Sequence, residues 1–371
     1  MNRTRLRRAC LAAVAAAGVA LVLAPQIASA APVEPGGDEA AFASWLRSIC
    51  RPEISATTLA VRTVPLVGPN CDFRDRTIVA GPLSALVPLE ESASVEASAQ
   101  YVAGTPLTAA HPHSLRVSVL EGRLTVSVND EAADPESADE GPEATGEHEE
   151  GPAPKPEVEP SPAARALAVP SECNQTAYKL RKDAKNYYYD WYYNDYGRPA
   201  YFNRNLALLD IQSAARNIDI GYNDCGLRQS LKTKILYKGS TATPTGISYG
   251  KCTRRDNKDV VGWGPLASHL LAVNCSWKSW SLGRPDPIGD SDTVISDAHN
   301  QFFYTKPSSC SGRYELQGVM THEFGHGFAL KHVSESAYPY MTMSPEATPC
   351  SYRDSTLGRG DYNALKKLYG A

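Results

Sequence analysis

The chain of 371 residues has no Cys-x-x-Cys pair, no second long apolar run after residue 24, and no stripe of basic residues. Each absence excludes something. Without Cys-x-x-Cys spacing, the cysteines are not arranged as a zinc ribbon or finger. Without a further run of roughly 20 apolar residues, no membrane-spanning helix is expected beyond the N-terminus. Scattered Lys and Arg leave no electrostatic footprint for nucleic acid.

What is present begins with a leader. Residues 1–30, MNRTRLRRACLAAVAAAGVALVLAPQIASA, combine a basic start, an Ala/Val/Leu run and a small-residue Ala28-Ser29-Ala30 end. That is the layout of a secretory signal peptide cleaved after Ala30, and its apolar run is too short for a spanning anchor. Cys10 leaves with it. Of the nine cysteines, Cys50 and Cys71 then lie in the first half, and Cys173, Cys225, Cys252, Cys275, Cys310 and Cys350 lie after residue 170. Even sets imply disulfides in a secreted, extracellular protein, with the pairing of the last six left open.

Charge divides the chain as well. Residues 1–170 hold 13 Lys+Arg against 22 Asp+Glu, whereas residues 171–371 hold 24 against 19. Most of the acidity falls in residues 129–170, which are rich in Pro, Glu, Ala and Gly and almost free of aliphatic side chains; this composition predicts a disordered linker. The linker separates a β-rich segment at 31–128 from a segment at 171–371 long enough to bury a core of its own. In the first segment, LRVSVLEGRLTVSV alternates on both sides of Glu121-Gly122 and predicts a hairpin. In the second, YYYDWYYNDY at 187–196 predicts a strand, and Leu206, Leu209, Ala214 and Ile218 in the following stretch fit a helical period. Strand patterns recur in LKTKILY, DVVGWGPL, LLAVNCSW and DTVISD. A helix should begin near Arg313, and DYNALKKLYG should form a last one, with Asp361 as its N-cap and Gly370 as its stop.

The chemistry is concentrated in THEFGHGFALKH at 321–332. In a chain of this composition H-E-x-x-H should arise by accident about 0.01 times. On a helix, His322 and His326 sit about 40° apart on one face, close enough for both imidazoles to reach one ion. Leu316, Met320, Phe324 and Phe328 form an apolar stripe on the opposite face. His332 is the natural third ligand, and three nitrogen ligands with a free fourth position describe a catalytic zinc. Glu323, next to the first ligand, has the place of a general base. Asp286, Asp290 and Asp292 are oxygen ligands of the type calcium takes, against the plainer reading of a solvated Pro/Asp loop. His269 and His299 stand alone and read as ordinary histidines.

HEFGHGFALKH, a methionine turn in YMTMSP and the closing LGRGDYNALKKLYG together resemble the metzincin metallopeptidases, and the final LYG helix is most similar to their matrixin branch. The resemblance covers about residues 187–370. It implies an α+β fold: a twisted mixed sheet with a zinc helix and a C-terminal helix. It also implies a zinc endopeptidase in which His322, His326 and His332 hold the metal and Glu323 is the base. The turn methionine would be Met343, with Met341 as the alternative. An extended peptide or protein substrate would lie along a sheet edge, which on this picture is DTVISD. By its place in the chain, 31–128 is then a propeptide. Cys71 could serve as a latency ligand or form a disulfide with Cys50, and a bond between Cys310 and Cys350 would fasten the wall of the substrate pocket. Ala329 departs from the family, which has glycine where the chain turns out of the helix; Gly327 is an alternative site for that turn. The rival function is a secreted non-catalytic protein, either metal-bearing or binding glycans through the tyrosine run or a cell surface through Arg359-Gly360-Asp361.

Overall fold

The computed structural model describes residues 37–129 and 171–370, apart from 60–62, 69–70, 91–92, 109, 182–187, 254, 282–283 and 286–287. The leader and most of the linker lie outside them. The chain divides into two compact units at residue 42, and every contact described below lies within Ala43–Ala371.

The fold is α+β, with several mixed sheets and few helices. The elements that position the site are strands β1 (Ala93–Tyr101), β2 (Ser114–Leu120), β3 (Arg123–Val128) and β4 (Tyr188–Tyr193), helix α1 (Arg204–Ile220), strands β5 (Lys234–Ser240), β6 (Asp259–Gly264), β7 (Leu270–Ser281) and β8 (Asp290–Ser296), and helices α2 (Leu316–Gly327) and α3 (Arg359–Tyr369). The main sheet runs β5-β4-β6-β8-β7-β1-β2-β3 and ends on Val64–Pro65. β5, β4, β6 and β8 are parallel to one another. β7 is antiparallel to β8 on one side and to β1 on the other.

DTVISD is therefore not the edge. It belongs to β8, which is hydrogen-bonded on both sides, by β6 and by β7. The chain doubles back through β7 before β8 enters the sheet, so the strand earlier in sequence is the outer one. Nor does β7 leave its own edge free. It pairs with β1 from Leu270↔Tyr101 to Ser279↔Ala93, so segments on either side of the linker share one continuous sheet. A second sheet also joins them, with Leu83–Leu86 paired to Lys251–Cys252.

Local chemistry explains the element boundaries. Glu121 and Gly122 both have positive φ, 51° and 69°, as the tight turn joining β2 to β3 requires. Helix α1 starts where the Asn203 side chain accepts from the N–H groups of Asn205 and Leu206, and ends at Gly221 with φ 70°. Its buried face is Ala207, Ile211, Ala214, Ala215 and Ile218; Leu209, expected inside, is 47% exposed because it sits on the opposite side of that stripe. In β4 the alternation buries Tyr189, Trp191 and Tyr193 and turns Tyr188 outward. Trp191 and Tyr189 meet Phe324 of α2 edge-on at 5.6 and 5.8 Å between centroids, which ties the sheet to the helix that carries the histidines.

Helix α3 begins at Arg359 after Gly358, so Asp361 is in its first turn and is not the N-cap. Its carboxylate instead accepts from the Thr342 N–H at 2.8 Å. Gly360 and Asp361 are buried, which removes Arg359-Gly360-Asp361 as an exposed receptor motif. Disulfides join Cys50–Cys71, Cys173–Cys225, Cys252–Cys275 and Cys310–Cys350. No helix among the described residues is long and apolar enough to cross a membrane. The four bonds fit an oxidising compartment.

Candidate metal centre

Helix α2 presents His322 and His326 on one face, and the turn behind it returns His332 to them. The turn is at Ala329, whose φ is 72°, while Gly327 stays within the helix. A left-handed alanine costs on the order of 1 kcal/mol. Its backbone is held in place: the Ala329 carbonyl accepts from Arg181 N–H at 2.9 Å, and the next two residues pair with Lys179–Leu180.

The three Nε2 atoms converge, separated by 3.0 Å for His322–His332 and 3.1 Å for the other two pairs. Their outer nitrogens are committed elsewhere. His322 Nδ1 faces the Thr342 carbonyl at 2.7 Å, and His326 Nδ1 faces that of Leu330 at 3.0 Å. A carbonyl only accepts, so in His322 and His326 Nδ1 carries the proton and Nε2 turns a lone pair inward. Lone pairs facing one another in a buried site repel unless a cation lies between them. A tetrahedral zinc with nitrogens at about 2.05 Å would separate them by about 3.3 Å, close to what the histidines adopt. Burial lowers the pKa of all three, His322 to about 4, so they are held in the neutral form that ligates. The donor set fits a divalent metal ion.

The neighbours of this triad have divided roles. Met343 lies under the helix: a Cβ added at Gly325, between the two helical ligands, would stand 2.5 Å from its sulfur. Met341 packs instead against Gly358 and Gly360 of the last helix. Thr342 between them links Asp361 to His322, accepting from His322 through its carbonyl while its N–H donates to Asp361. Cys71 is bonded to Cys50 and is not a ligand. Cys310 and Cys350, joined, bracket α2 and the loop that follows it.

Glu323 is fully buried, and neither carboxylate oxygen has a hydrogen bond of ordinary length. Burial raises its pKa well above the usual carboxylate range, offset only in part by the backbone N–H of Gln100. Gln100 belongs to β1, which covers the site. The three histidines and Glu323 are at most 2% exposed.

β1 alternates Ser94, Glu96, Ser98 and Gln100 with Val95, Ala97, Ala99 and Tyr101, yet all nine of its residues are buried. In addition to its pairing with β7, its last residue is gripped by the loop after His332. Tyr101 N–H donates to the Pro345 carbonyl at 2.8 Å, and Ala347 N–H donates to the Tyr101 carbonyl at 3.1 Å. Just before β2, His113 brings its Nδ1 within 3.0 Å of His332 Nδ1. Glu96 meets Arg181, with 3.2 Å between Oε1 and Nε. Glu96, Gln100, His113 and Arg181 lie in no motif that assigns them to the site. The one local signal was a polar row, Ser-Glu-Ser-Gln, which reads equally well as the wet face of an ordinary strand.

Of the carboxylates considered for calcium, Asp290 and Asp292 come together with Asp256, three ligand oxygens lying within 4.8 Å of one another. Asp286 is outside the described residues. His269 stacks on Tyr101 at 5.7 Å and His299 lies edge-on to Tyr201 at 5.3 Å, and neither joins the triad. No protein-family model matches the chain, and no curated protein is found to resemble it.

Proposed function

We propose that the chain is the latent form of a secreted zinc endopeptidase of the metzincin type, with His322, His326 and His332 as metal ligands and Glu323 as general base. The observation that carries this reading is the convergence of three inward-facing imidazole nitrogens beside a buried carboxylate that no other side chain neutralises. A structural clamp has no need of that carboxylate.

When bound, zinc would supply Lewis-acid polarisation of a peptide carbonyl and acidify water. The chain's own residues do the rest. Glu323 accepts the proton of the attacking water and returns it to the leaving amine. Thr342 and Leu330 hold the ligand rings in the tautomer that ligates. β7 and the loop at 345–347 supply backbone groups on either side of an extended peptide, as their grip on β1 illustrates.

Latency follows from the same contacts. A strand that already fills the edge of β7 excludes substrate, so turnover requires 31–128 to leave. The rival reading, a metal-bearing protein without turnover, is favoured only by the burial of the site in the intact chain. Cleavage of casein by secreted, processed protein separates the two: hydrolysis abolished by a chelator and restored by zinc supports the peptidase, and zinc-loaded processed protein that leaves casein intact refutes it.

A further inference from the structure

β1 does more than cover the site; it adopts the pose of a substrate. It runs antiparallel to β7, its Gln100 N–H faces Glu323, and Tyr101 is held on its other side by Pro345 and Ala347. With the Gln100 nitrogen taken as the leaving amine, the Ala99–Gln100 bond takes the place of a scissile bond. Glu96 is then the fourth residue on the N-terminal side of that bond, and strand alternation points it the same way as Gln100.

What Glu96 meets is unusual. Arg181 is 2% exposed, yet none of its three guanidinium nitrogens makes a hydrogen bond; Glu96 lies 3.2 Å from Nε and matches its charge without the alignment of a forked pair. Lys278 on β7 and Lys331, one residue before the third ligand, also act on the Glu96 charge, as does Arg116 of β2. Arg116 would depart with 31–128. The other three cations stay with the catalytic segment, buried beneath β1 at 2%, 4% and 9% exposure. While β1 covers it, such a guanidinium carries a large desolvation penalty unless a carboxylate accompanies it, and Glu96 supplies that carboxylate.

We propose that Arg181, flanked by Lys278 and Lys331, forms a subsite for an acidic side chain, so that the enzyme prefers substrates with glutamate or aspartate at the fourth residue before the cut. Glu96 is the intramolecular occupant of that subsite. The inference rests on the endopeptidase reading above and gives it a substrate class.

The test uses protein expressed as the full chain, zinc-loaded, and activated by limited proteolysis between residues 129 and 170. A peptide library is digested and its cut sites read by mass spectrometry, followed by kcat/KM on matched peptides carrying Glu or Gln four residues before the cut. We expect Glu and Asp to be enriched at that position, a preference for the Glu peptide of at least tenfold, and collapse of that ratio towards one in Arg181→Gln. Should Arg181→Gln fail to fold, Lys278→Gln is expected to reduce the ratio by severalfold. A synthetic peptide of residues 93–101 should inhibit at least tenfold better than its Glu96→Gln version. Efficient cleavage with no acidic preference, or equal inhibition by both peptides, overturns the subsite while leaving the peptidase reading intact. No cleavage of any peptide by processed protein freed of residues 31–128 overturns the endopeptidase reading and the subsite with it.

Discussion

His113 Nδ1 and His332 Nδ1 lie 3.0 Å apart although 219 positions separate them in sequence. The third candidate ligand thus has its outer nitrogen beside a residue of the segment before the linker, whereas backbone carbonyls of the segment after it hold the other two. One hydrogen bond contributes about 1 kcal/mol, or about fivefold in an equilibrium. Replacing His113 with Ala should raise the basal peptide hydrolysis of the unprocessed chain by about that factor, measured with a fluorogenic peptide. An unchanged basal rate would show that this contact does not help to hold the segment in place.

The mature protein should begin beyond the linker. Since β1 fills the edge of β7, secreted material with full activity is expected to have its N-terminus near residues 163–171, as read by mass spectrometry. Full activity in an intact chain starting at Ala31 would contradict the latent role of 31–128.

Gly325 has no room for a side chain beside Met343. Gly325→Ala should cost about 1–3 kcal/mol through overpacking and weaken zinc retention by displacing the helix between its two ligands. Thermal melting and bound zinc per chain check this; an unchanged melting temperature with full zinc would mean that Met343 moves aside freely.

Asp210 of α1 is 5% exposed, and its Oδ2 has no hydrogen-bond partner. Burial first, and then the Glu315 charge, raises its pKa from 3.8 to about 8. Between those values the folded state binds more protons than the unfolded one, so this group makes the protein less stable as pH rises from about 4 to 8, with no further loss above. Asp210→Asn removes the penalty. Its stabilisation should be small near pH 4 and on the order of a few kcal/mol at pH 8 and above, as read from denaturant melts at the two pH values. An equal effect at both would contradict the assignment.

The parts of the structure legible in the sequence were those written in local spacing. His322, Glu323 and His326 are fixed by helical geometry, and Glu121-Gly122 by turn chemistry, so each could be read in place. Ala329 was identified as the departure, and the choice between it and Gly327 as the turning point required backbone angles. The order of strands was not legible, because DTVISD has the same alternation at an edge as in the interior, and only pairing distinguishes them. Glu96 with Arg181 and His113 with His332 were beyond reach for a different reason. Each pair joins segments on opposite sides of the linker, and nothing in the residues around Arg181 or His113 shows what they meet.

On the proposed reading, three imidazoles hold a metal for Glu323 to use. The most direct test is casein hydrolysis by the processed Glu323→Ala variant with its zinc content determined on the same sample. One zinc per chain with no detectable turnover is the expected result. Retained turnover at full zinc occupancy would contradict it.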